Sequence, residues 1–307
     1  MNGREVFTAA FPDRRIDSTE KPDEGNRKET TIVTAADGER VVVQLSDDPK
    51  AAATETRLTR EIAERTPVPV PSVIDAGSVD GTGYRIAACV EGENLHERFP
   101  DLDPERRARV ARRFGGALAS LHEGFEFERF GRVTSVGGRL EATGPAEYEP
   151  WFRRYAESGI DALPPELDDL IETLAGCIES ASFPTSPTPR LFPWDLRPGN
   201  VVVEDGRVVA FLDWGQPLAA GTGLSVAKTE YLVADWYGGD RGRLRSAFRD
   251  GYTAVRPLPT VTRAERLVAV LRSAVDGDGE VTRPGYPERT GSDAVAFHRK
   301  RLFERLR

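Results

Sequence analysis

The most informative part of this sequence is residues 190–217, which read RLFPWDLRPGNVVVEDGRVVAFLDWGQP. Two apolar, β-branched runs at residues 201–203 and 208–212 flank the dipeptide Asp205-Gly206. An Asp-Gly pair between such runs predicts a β-hairpin, because both central residues of a type I′ turn need a positive φ. Polar side chains precede and follow this hairpin, which makes its open end a candidate site.

The polar side chains at the open end of the hairpin are Asp195, Asn200 and Asp213. Neighbouring strands lie about 4.8 Å apart, so the predicted pairing brings Asp213 close to Asn200. Magnesium takes few protein oxygens and leaves its other positions to water and phosphate. These residues therefore predict a magnesium–phosphate site. The alternative is that they only stabilise turns, where Asp and Asn are favoured.

The order Asp195, Asn200, hairpin, Asp213 resembles the catalytic signature of the aminoglycoside phosphotransferase and choline kinase-like family. The resemblance implies that Asp195 takes the proton of an acceptor hydroxyl and that Asn200 and Asp213 hold magnesium. It also implies ATP and Mg²⁺ as cofactors. The sequence departs from the family pattern at Pro193-Trp194, where relatives have His-Gly. Proline fixes φ and removes a backbone donor, so this loop must be held in another way.

The order of the predicted elements resembles the same family over nearly the whole chain. Residues 1–20 predict no clear element except a strand near residues 14–19. Hairpins are predicted further along the chain, around Asp37-Gly38 and Asp80-Gly81. A helix at residues 49–65 separates these two hairpins. The resemblance therefore implies an α+β, bilobal protein kinase-like fold, whose small lobe has an antiparallel sheet and one main helix.

The predicted boundary between the lobes lies at residue 89. Residues 1–89 would form the nucleotide-binding lobe, and residues 90–307 the larger, mostly helical lobe with the catalytic loop and the acceptor pocket. The first long helix of the second lobe is predicted at residues 103–122, where Asp103 can cap it and an apolar face recurs at helical spacing.

The resemblance also implies residues for the nucleotide. A Gly25-Asn26 loop would cover it, a strand would carry a phosphate-contacting lysine, and the following helix would carry the glutamate partner. Glu55 occupies the helix position, although an exposed helix charge is the alternative. The strand position is Gln44, whose neutral amide supplies no positive charge. Phosphate anchoring is therefore weakened, or left to Lys28, Arg27 or magnesium.

Ala88 and Val90 belong to the segment at residues 88–92, which resembles the hinge between the lobes. There the adenine edge would bond backbone groups, so both residues are predicted to bind the nucleotide without a side-chain signal.

Trp151 and Tyr155 are predicted to contact the acceptor, because helices of the larger lobe line the acceptor pocket in the relatives. The alternative is a half-buried helix without a direct role. The predicted partner is a small-molecule acceptor of the aminoglycoside, choline or sugar type.

Composition limits the other possibilities for this chain of 307 residues. Its formal charge of −8 argues against nucleic acid or an acidic membrane surface as the main partner. Two cysteines and the absence of a long apolar segment favour a cytoplasmic protein, expected as a monomer or a dimer. Five of the 42 basic residues are lysine, a composition typical of a haloarchaeal-type protein and also of codon bias alone.

Two functions follow from these residues. The first is an Mg²⁺-dependent small-molecule kinase that moves the γ-phosphoryl group of ATP to a hydroxyl. The alternative is a catalytically weak or inactive kinase-like nucleotide sensor or scaffold, which Gln44 and Pro193 would favour. The joint presence of Asp195, Asn200 and Asp213 favours the kinase, since a binding module has no need of a hydroxyl-activating carboxylate.

Overall fold

The computed structural model describes residues 1–22, 28–183, 186–237, 239–276, 279–282 and 290–306. It divides into two compact units, each built from several segments of the chain. Unit 1 comprises residues 1–93, 133–141 and 202–217, and unit 2 comprises residues 94–132, 142–201 and 218–307. The predicted lobe boundary at residue 89 stays a prediction. Gly25, Asn26 and Arg27 lie outside the described residues.

A five-stranded antiparallel sheet with strand order β1-β2-β3-β5-β4 forms most of unit 1. Residues on β2 and β3 alternate between buried and partly exposed, which is the pattern of a sheet with one covered face. The helices of this part are α1 (Gly3–Ala10) and α2 (Pro49–Arg65). The strands are β1 (Ile16–Glu20), β2 (Glu29–Ala35), β3 (Arg40–Ser46), β4 (Val73–Val79) and β5 (Thr82–Ala88).

Helix α1 lies in a region where the sequence analysis predicted only a strand. Asn2 and Glu5 form a capping box that starts it, and Val6 and Phe7 join the apolar cluster on the covered face of the sheet. Helix α2 begins and ends where it was predicted, since Asp48 caps its first turn through the backbone N–H groups of Lys50 and Ala51.

The predicted Asp-Gly hairpins are confirmed, although one turn has another geometry. Asp80 and Gly81 have φ values of 51° and 81°, and Asp205 and Gly206 have 49° and 71°, as a type I′ turn requires. At the first hairpin only Gly38 has a positive φ, and the Ala35 N–H donates to the Glu39 carbonyl. That loop therefore has three residues, with glycine in the left-handed position.

Helices form most of unit 2. The helix predicted from Asp103 is α4 (Pro104–Gly124), and the Asp103 side chain caps it. His122, in its last turn, is fully buried and bonds Tyr252 and Ser225, so its role is structural. The other helices are α3 (Leu95–Arg98), α5 (Tyr148–Ile160), α6 (Ile171–Glu179), α7 (Thr222–Glu230), α8 (Arg241–Thr253), α9 (Arg263–Leu271) and α10 (Ser292–Leu306).

Short strands complete the fold. Strand β12 pairs with β9 and with the first two residues of β7, while β7 and β8 form a ribbon in the Gly-rich segment after α4. Strands β10 and β11 form the Asp205-Gly206 hairpin, and β6 pairs with β10. Their bounds are β6 (Glu93–Asn94), β7 (Gly131–Val136), β8 (Arg139–Thr143), β9 (Arg190–Phe192), β10 (Val201–Glu204), β11 (Arg207–Phe211) and β12 (Leu218–Ala220).

Within the described ranges, no helix combines the length and the apolar character needed to cross a membrane.

Helices α4 and α8 approach so closely that glycine is required at the contact. A Cβ on Gly115 would lie 1.9 Å from the Phe248 carbonyl oxygen, and a Cβ on Gly251 would lie 1.9 Å from the Arg112 carbonyl oxygen. We expect Gly115→Ala to lower the free energy of unfolding by about 3 kcal/mol, because the backbone of one helix must move away. Urea denaturation followed by circular dichroism measures this change.

Gly116 provides the matched control on the same helix. A Cβ there would lie 3.5 Å from the Gly251 carbonyl oxygen, which is an ordinary contact. We expect Gly116→Ala to be neutral or to stabilise by up to about 1 kcal/mol, because alanine favours helix. Equal effects of the two substitutions would contradict the close approach of α4 and α8.

Candidate functional site

A buried carboxylate bound by two cations lies beside the sheet of unit 1. Glu55, on α2, is only 4% exposed, so the alternative of an exposed helix charge is wrong. Lys28 Nζ lies 2.5 Å from Glu55 Oε2, and Arg85 Nη2 lies 3.0 Å from Glu55 Oε1. Lys28 Nζ also lies 3.3 Å from Asp213 Oδ1. Two predicted site residues, Glu55 and Asp213, therefore share one ammonium group.

Gln44 takes part in this cluster as an acceptor. Strand pairing places it directly opposite Arg85, and its Oε1 accepts a hydrogen bond from Arg85 Nη2. Arg85 Nη1 also donates to Thr59 Oγ1 at 3.3 Å. Gln44 thus orients a guanidinium group. Arg85 was missed by the sequence analysis, because its position opposite Gln44 depends on the pairing of β3 with β5.

Asp213 follows β11 in a left-handed conformation, with φ 54°. Aspartate tolerates this region better than most residues. Desolvation works against its ionisation, but the nearby donors and positive charges, first among them the Lys28 ammonium, together keep the pKa of Asp213 below its ordinary value. The other contributions to this lower pKa come from the backbone N–H of Gly215 and the charge of Arg85. Asp213 is therefore an anion with a cation already beside it.

Asp195 and Asn200 lie together in unit 2, in the loop after β9. Asn200 Nδ2 donates to Asp195 Oδ2 at 3.0 Å and to the Asp195 carbonyl oxygen at 2.9 Å. Arg197 Nε lies 3.2 Å from the same carboxylate. Because the Asn200 nitrogen is directed to Asp195, its Oδ1 is the amide atom left to act as an acceptor or a metal ligand.

Taken separately, Asp213 in unit 1 and Asn200 in unit 2 each offer donor chemistry that fits the magnesium that the family pattern implies. An ionised carboxylate and an amide oxygen are hard ligands, and Mg²⁺ is usually bound through one or two carboxylates together with substrate phosphates. Among the described residues, no group of three or more His, Cys, Asp or Glu side chains could hold a metal by itself. Their assignment as metal ligands, and that of Asp195 as the base, stay predictions.

A buried lysine lies behind the Asp195 loop. Lys228 Nζ is 5.2 Å from the centre of the Trp194 ring and donates to the Arg272 carbonyl oxygen at 2.6 Å. Burial lowers the pKa of Lys228 to about 7. The Asp195 carboxylate opposes this pKa change, and the charges of Arg272 and Arg197 add to it. Trp194, one of the two residues that replace His-Gly, is thus packed against a cation.

The sequence analysis also missed Lys228. Its signal was a lysine within the apolar stretch LSVAKTEYLVA, in a chain that has few lysines. The structure places every residue of α7 from Gly223 to Glu230 in the buried class, which a sequence pattern with one apolar face does not predict.

Trp151 and Tyr155 form part of an aromatic cluster on α5. Trp151 is 7% exposed and stacks on Tyr155, with ring centres 5.1 Å apart and an angle of 11° between the rings. The Arg272 guanidinium lies 4.6 Å from the centre of the Tyr155 ring. Burial raises the pKa of Tyr155, so its hydroxyl stays protonated. Their contact with an acceptor stays a prediction.

At the predicted hinge, Ala88 ends β5 and its backbone N–H donates to the Ser72 carbonyl oxygen at 2.9 Å. That donor is therefore already used in the sheet. Val90 lies just beyond the strand. The assignment of both residues to the adenine stays a prediction.

Lys228→Met is expected to remove a pH dependence of stability. With a folded pKa near 7 and an ordinary value of 10.5, the unfolded state binds more protons between these pH values. The free energy of unfolding should therefore rise as the pH increases across this window. Below the window it should be a few kcal/mol lower than above it. Urea denaturation across the window should show a smaller pH slope for Lys228→Met than for the wild type.

Lys300→Met is the matched control, because Lys300 is exposed on α10. This variant should keep the slope of the wild type. Equal slopes for all three proteins would show that Lys228 is not destabilised by its burial.

Comparison with protein families gives a match over most of the chain. The model of the family described as "Phosphotransferase enzyme family" (APH) matches residues 19–264. A curated relative, the probable acyl-CoA dehydrogenase IBR3 of Arabidopsis thaliana, is 29% identical over 184 residues. This match covers 56% of the chain and 21% of the relative, so the chain spans about a fifth of that protein's length.

Solved structures with the same fold include aminoglycoside phosphotransferases. A thermostable mutant of APH(4)-Ia, in ternary complex with AMP-PNP and hygromycin B, has a TM-score of 0.68 at 15% identity over 98% of this chain and 97% of that one. A putative aminoglycoside phosphotransferase of Ralstonia eutropha JMP134 has a TM-score of 0.64 at 16% identity over 99% and 95%. These similarities show the expected α+β, protein kinase-like fold, and the family match shows that the chain belongs to the APH phosphotransferase enzyme family.

Proposed function

We propose that this phosphotransferase moves the γ-phosphoryl group of ATP to a hydroxyl group of a small molecule in an Mg²⁺-dependent reaction. The observation that carries the proposal is Asp195, held by the Asn200 amide at 3.0 Å. A carboxylate placed this way can orient an acceptor hydroxyl and take its proton. A protein that only binds nucleotides would have no use for it.

The other residues have roles that follow from their chemistry. Arg197, whose Nε donates to the Asp195 carboxylate at 3.2 Å, fixes its orientation. Asn200 and Asp213 would hold Mg²⁺, which when bound neutralises charge on the phosphates. Glu55 would orient the cations of unit 1. Most of the rate enhancement would come from positioning and charge neutralisation.

The choice of nucleotide rests on the family and on the proteins that share the fold. Structures among these were solved with AMP-PNP, with ADP and with GDP. We propose ATP as the donor, with GTP as the competitor that the assay must include.

For the acceptor we propose a hydroxyl compound of the aminoglycoside, choline or sugar type. Two of the proteins with the same fold were solved with hygromycin B or kanamycin. The name of the plant relative refers to acyl-CoA chemistry. A hydroxylated acyl-CoA therefore also belongs in the acceptor panel.

The experiment is a transfer assay with γ-labelled ATP and Mg²⁺ against this panel, with detection of the phosphorylated acceptor by mass spectrometry. We expect labelled product with at least one class of acceptor. If a thermal shift shows that Mg-ATP binds but neither hydrolysis nor transfer occurs with any acceptor, the protein is the sensor or scaffold instead.

A further inference from the structure

The carboxylate of Glu55 needs a cation that residue 44 cannot provide. A buried, ionised carboxylate is stable only when it is paired and hydrogen-bonded. Residue 44, where the resemblance implies a lysine, is glutamine. The positive charge at this site therefore comes from other parts of unit 1.

Two cations from different elements bind the two oxygens of Glu55 separately. Arg85, on β5, pairs with Oε1, and Lys28, one residue before β2, pairs with Oε2. Their surroundings differ. The side chain of Arg85 is 15% exposed, forms an ion pair with Glu55 and donates hydrogen bonds to two acceptors, Gln44 and Thr59.

Lys28 is less enclosed and lies between two carboxylates. Its side chain is 24% exposed, and its ammonium group contacts Glu55 at 2.5 Å and Asp213 at 3.3 Å. An ammonium group on a flexible stem can exchange one partner while it keeps another, whereas a guanidinium group bound by several acceptors is held in place. Lys28 is thus the cation that can contact an incoming anion, and Arg85 is the cation that fixes Glu55.

We propose that Lys28 supplies the phosphate-contacting positive charge of the nucleotide site, and that Arg85 is the positioning residue that holds Glu55 beside it. A cation that binds Asp213 would compete with Lys28 for that carboxylate. Lys28 would then keep its contact with Glu55 and turn its remaining donors to phosphate oxygens. The inference rests on the proposed nucleotide-dependent function.

The first test compares nucleotides that differ only in the number of phosphates. In calorimetric titrations, Lys28→Gln should weaken ADP binding by roughly tenfold or more, because a charged hydrogen bond is lost. AMP binding should stay unchanged. Adding Gln44→Lys to Lys28→Gln should recover part of the ADP affinity, since the side chain at position 44 reaches the same cluster.

Arg57→Gln is the matched control, because Arg57 is an exposed arginine on α2 that forms its ion pair with Glu61. It should bind both nucleotides like the wild type. If Lys28→Gln binds ADP as tightly as the wild type does, the inference is wrong while the proposed function stands. If the wild type binds neither ATP nor ADP, both are wrong.

A second test uses the wild-type protein and does not depend on the folding of a variant. Acylation of lysines by an amine-reactive reagent, mapped by mass spectrometry, should be slowed at Lys28 by ADP and not by AMP. Lys21 and Lys50 are exposed and serve as internal references. An acylation rate at Lys28 that ADP leaves unchanged would overturn the assignment.

The positioning role of Arg85 has its own readout. Arg85→Gln should weaken ADP binding but leave AMP binding unchanged, and Arg85→Lys should restore part of the loss. If Arg85→Gln weakens the binding of both nucleotides equally, and Arg85→Lys gives no recovery, Arg85 only supports the fold.

Discussion

Asp195→Asn is expected to lower kcat by roughly a hundredfold to ten-thousandfold, which is the range for a group that takes a proton in the transition state. The amide has nearly the shape of the carboxylate, but it carries no charge and cannot accept the acceptor's proton. Nucleotide affinity should stay unchanged, because we assign Asp195 to the acceptor and not to the phosphates. Steady-state kinetics with the acceptor identified in the panel, together with calorimetric titration of Mg-ATP, measure the two quantities separately.

Asp169→Asn is the matched control for this substitution. Asp169 belongs to unit 2, is exposed and forms an ion pair with Arg299 at 2.7 Å on the surface. Loss of this pair should leave kcat unchanged, since exposed ion pairs contribute little. If Asp195→Asn retained the turnover of the wild type, Asp195 would not be the group that activates the hydroxyl.

The parts of the fold that could be predicted are those with local signals. Asp205-Gly206 predicted a hairpin because two consecutive residues with positive φ are a local backbone requirement, and both have it. Helix α2 was predicted to its correct ends, because Pro49 suits a first turn and apolar residues recur at helical spacing after it. Asn2 and Glu5 form a capping box, which is a local start signal for α1, but the helix was not predicted from it.

The parts of the site that could not be predicted depend on contacts between distant residues. Lys28 and Asp213 are 185 positions apart, and Arg85 meets Gln44 across 41 positions. The sequence shows that Gln44 carries no charge, and Lys28 was one of three predicted sources of the missing positive charge. Only the pairing of β3 with β5 brings Arg85 to this place. The burial of Lys228 likewise depends on packing around α7 and not on its own periodicity.

Pro193-Trp194 is the clearest departure from the family pattern, and the structure shows how the loop is held with these two residues in place. The Leu196 N–H donates to the Pro193 carbonyl oxygen at 3.1 Å, which closes a tight turn that contains Asp195. The Trp194 ring packs under the Lys228 ammonium group. The loop that carries Asp195 is therefore held by a rigid ring, a turn and a cation–π contact, which do not need the side chain of a histidine.

Asp213→Asn is expected to change the magnesium dependence of nucleotide binding. We assign Asp213 to Mg²⁺, so its neutral amide should lower the affinity for Mg-ATP by roughly tenfold or more. The same change removes one of the two carboxylates that hold Lys28. Without magnesium, ATP should therefore bind the variant at least as tightly as the wild type. Calorimetric titrations of ATP with excess Mg²⁺ and with EDTA measure both effects without any turnover.

Asp205→Asn is the matched control in the same hairpin segment. Asp205 has φ 49° and Asp213 has φ 54°, so both substitutions place asparagine in a left-handed conformation that it tolerates. Asp205 lies in the turn, where asparagine before glycine is equally favourable. Its variant should bind ATP like the wild type under both conditions. If Asp213→Asn kept the full magnesium dependence, the cation would be held elsewhere, and Lys28 would have no competitor for Asp213.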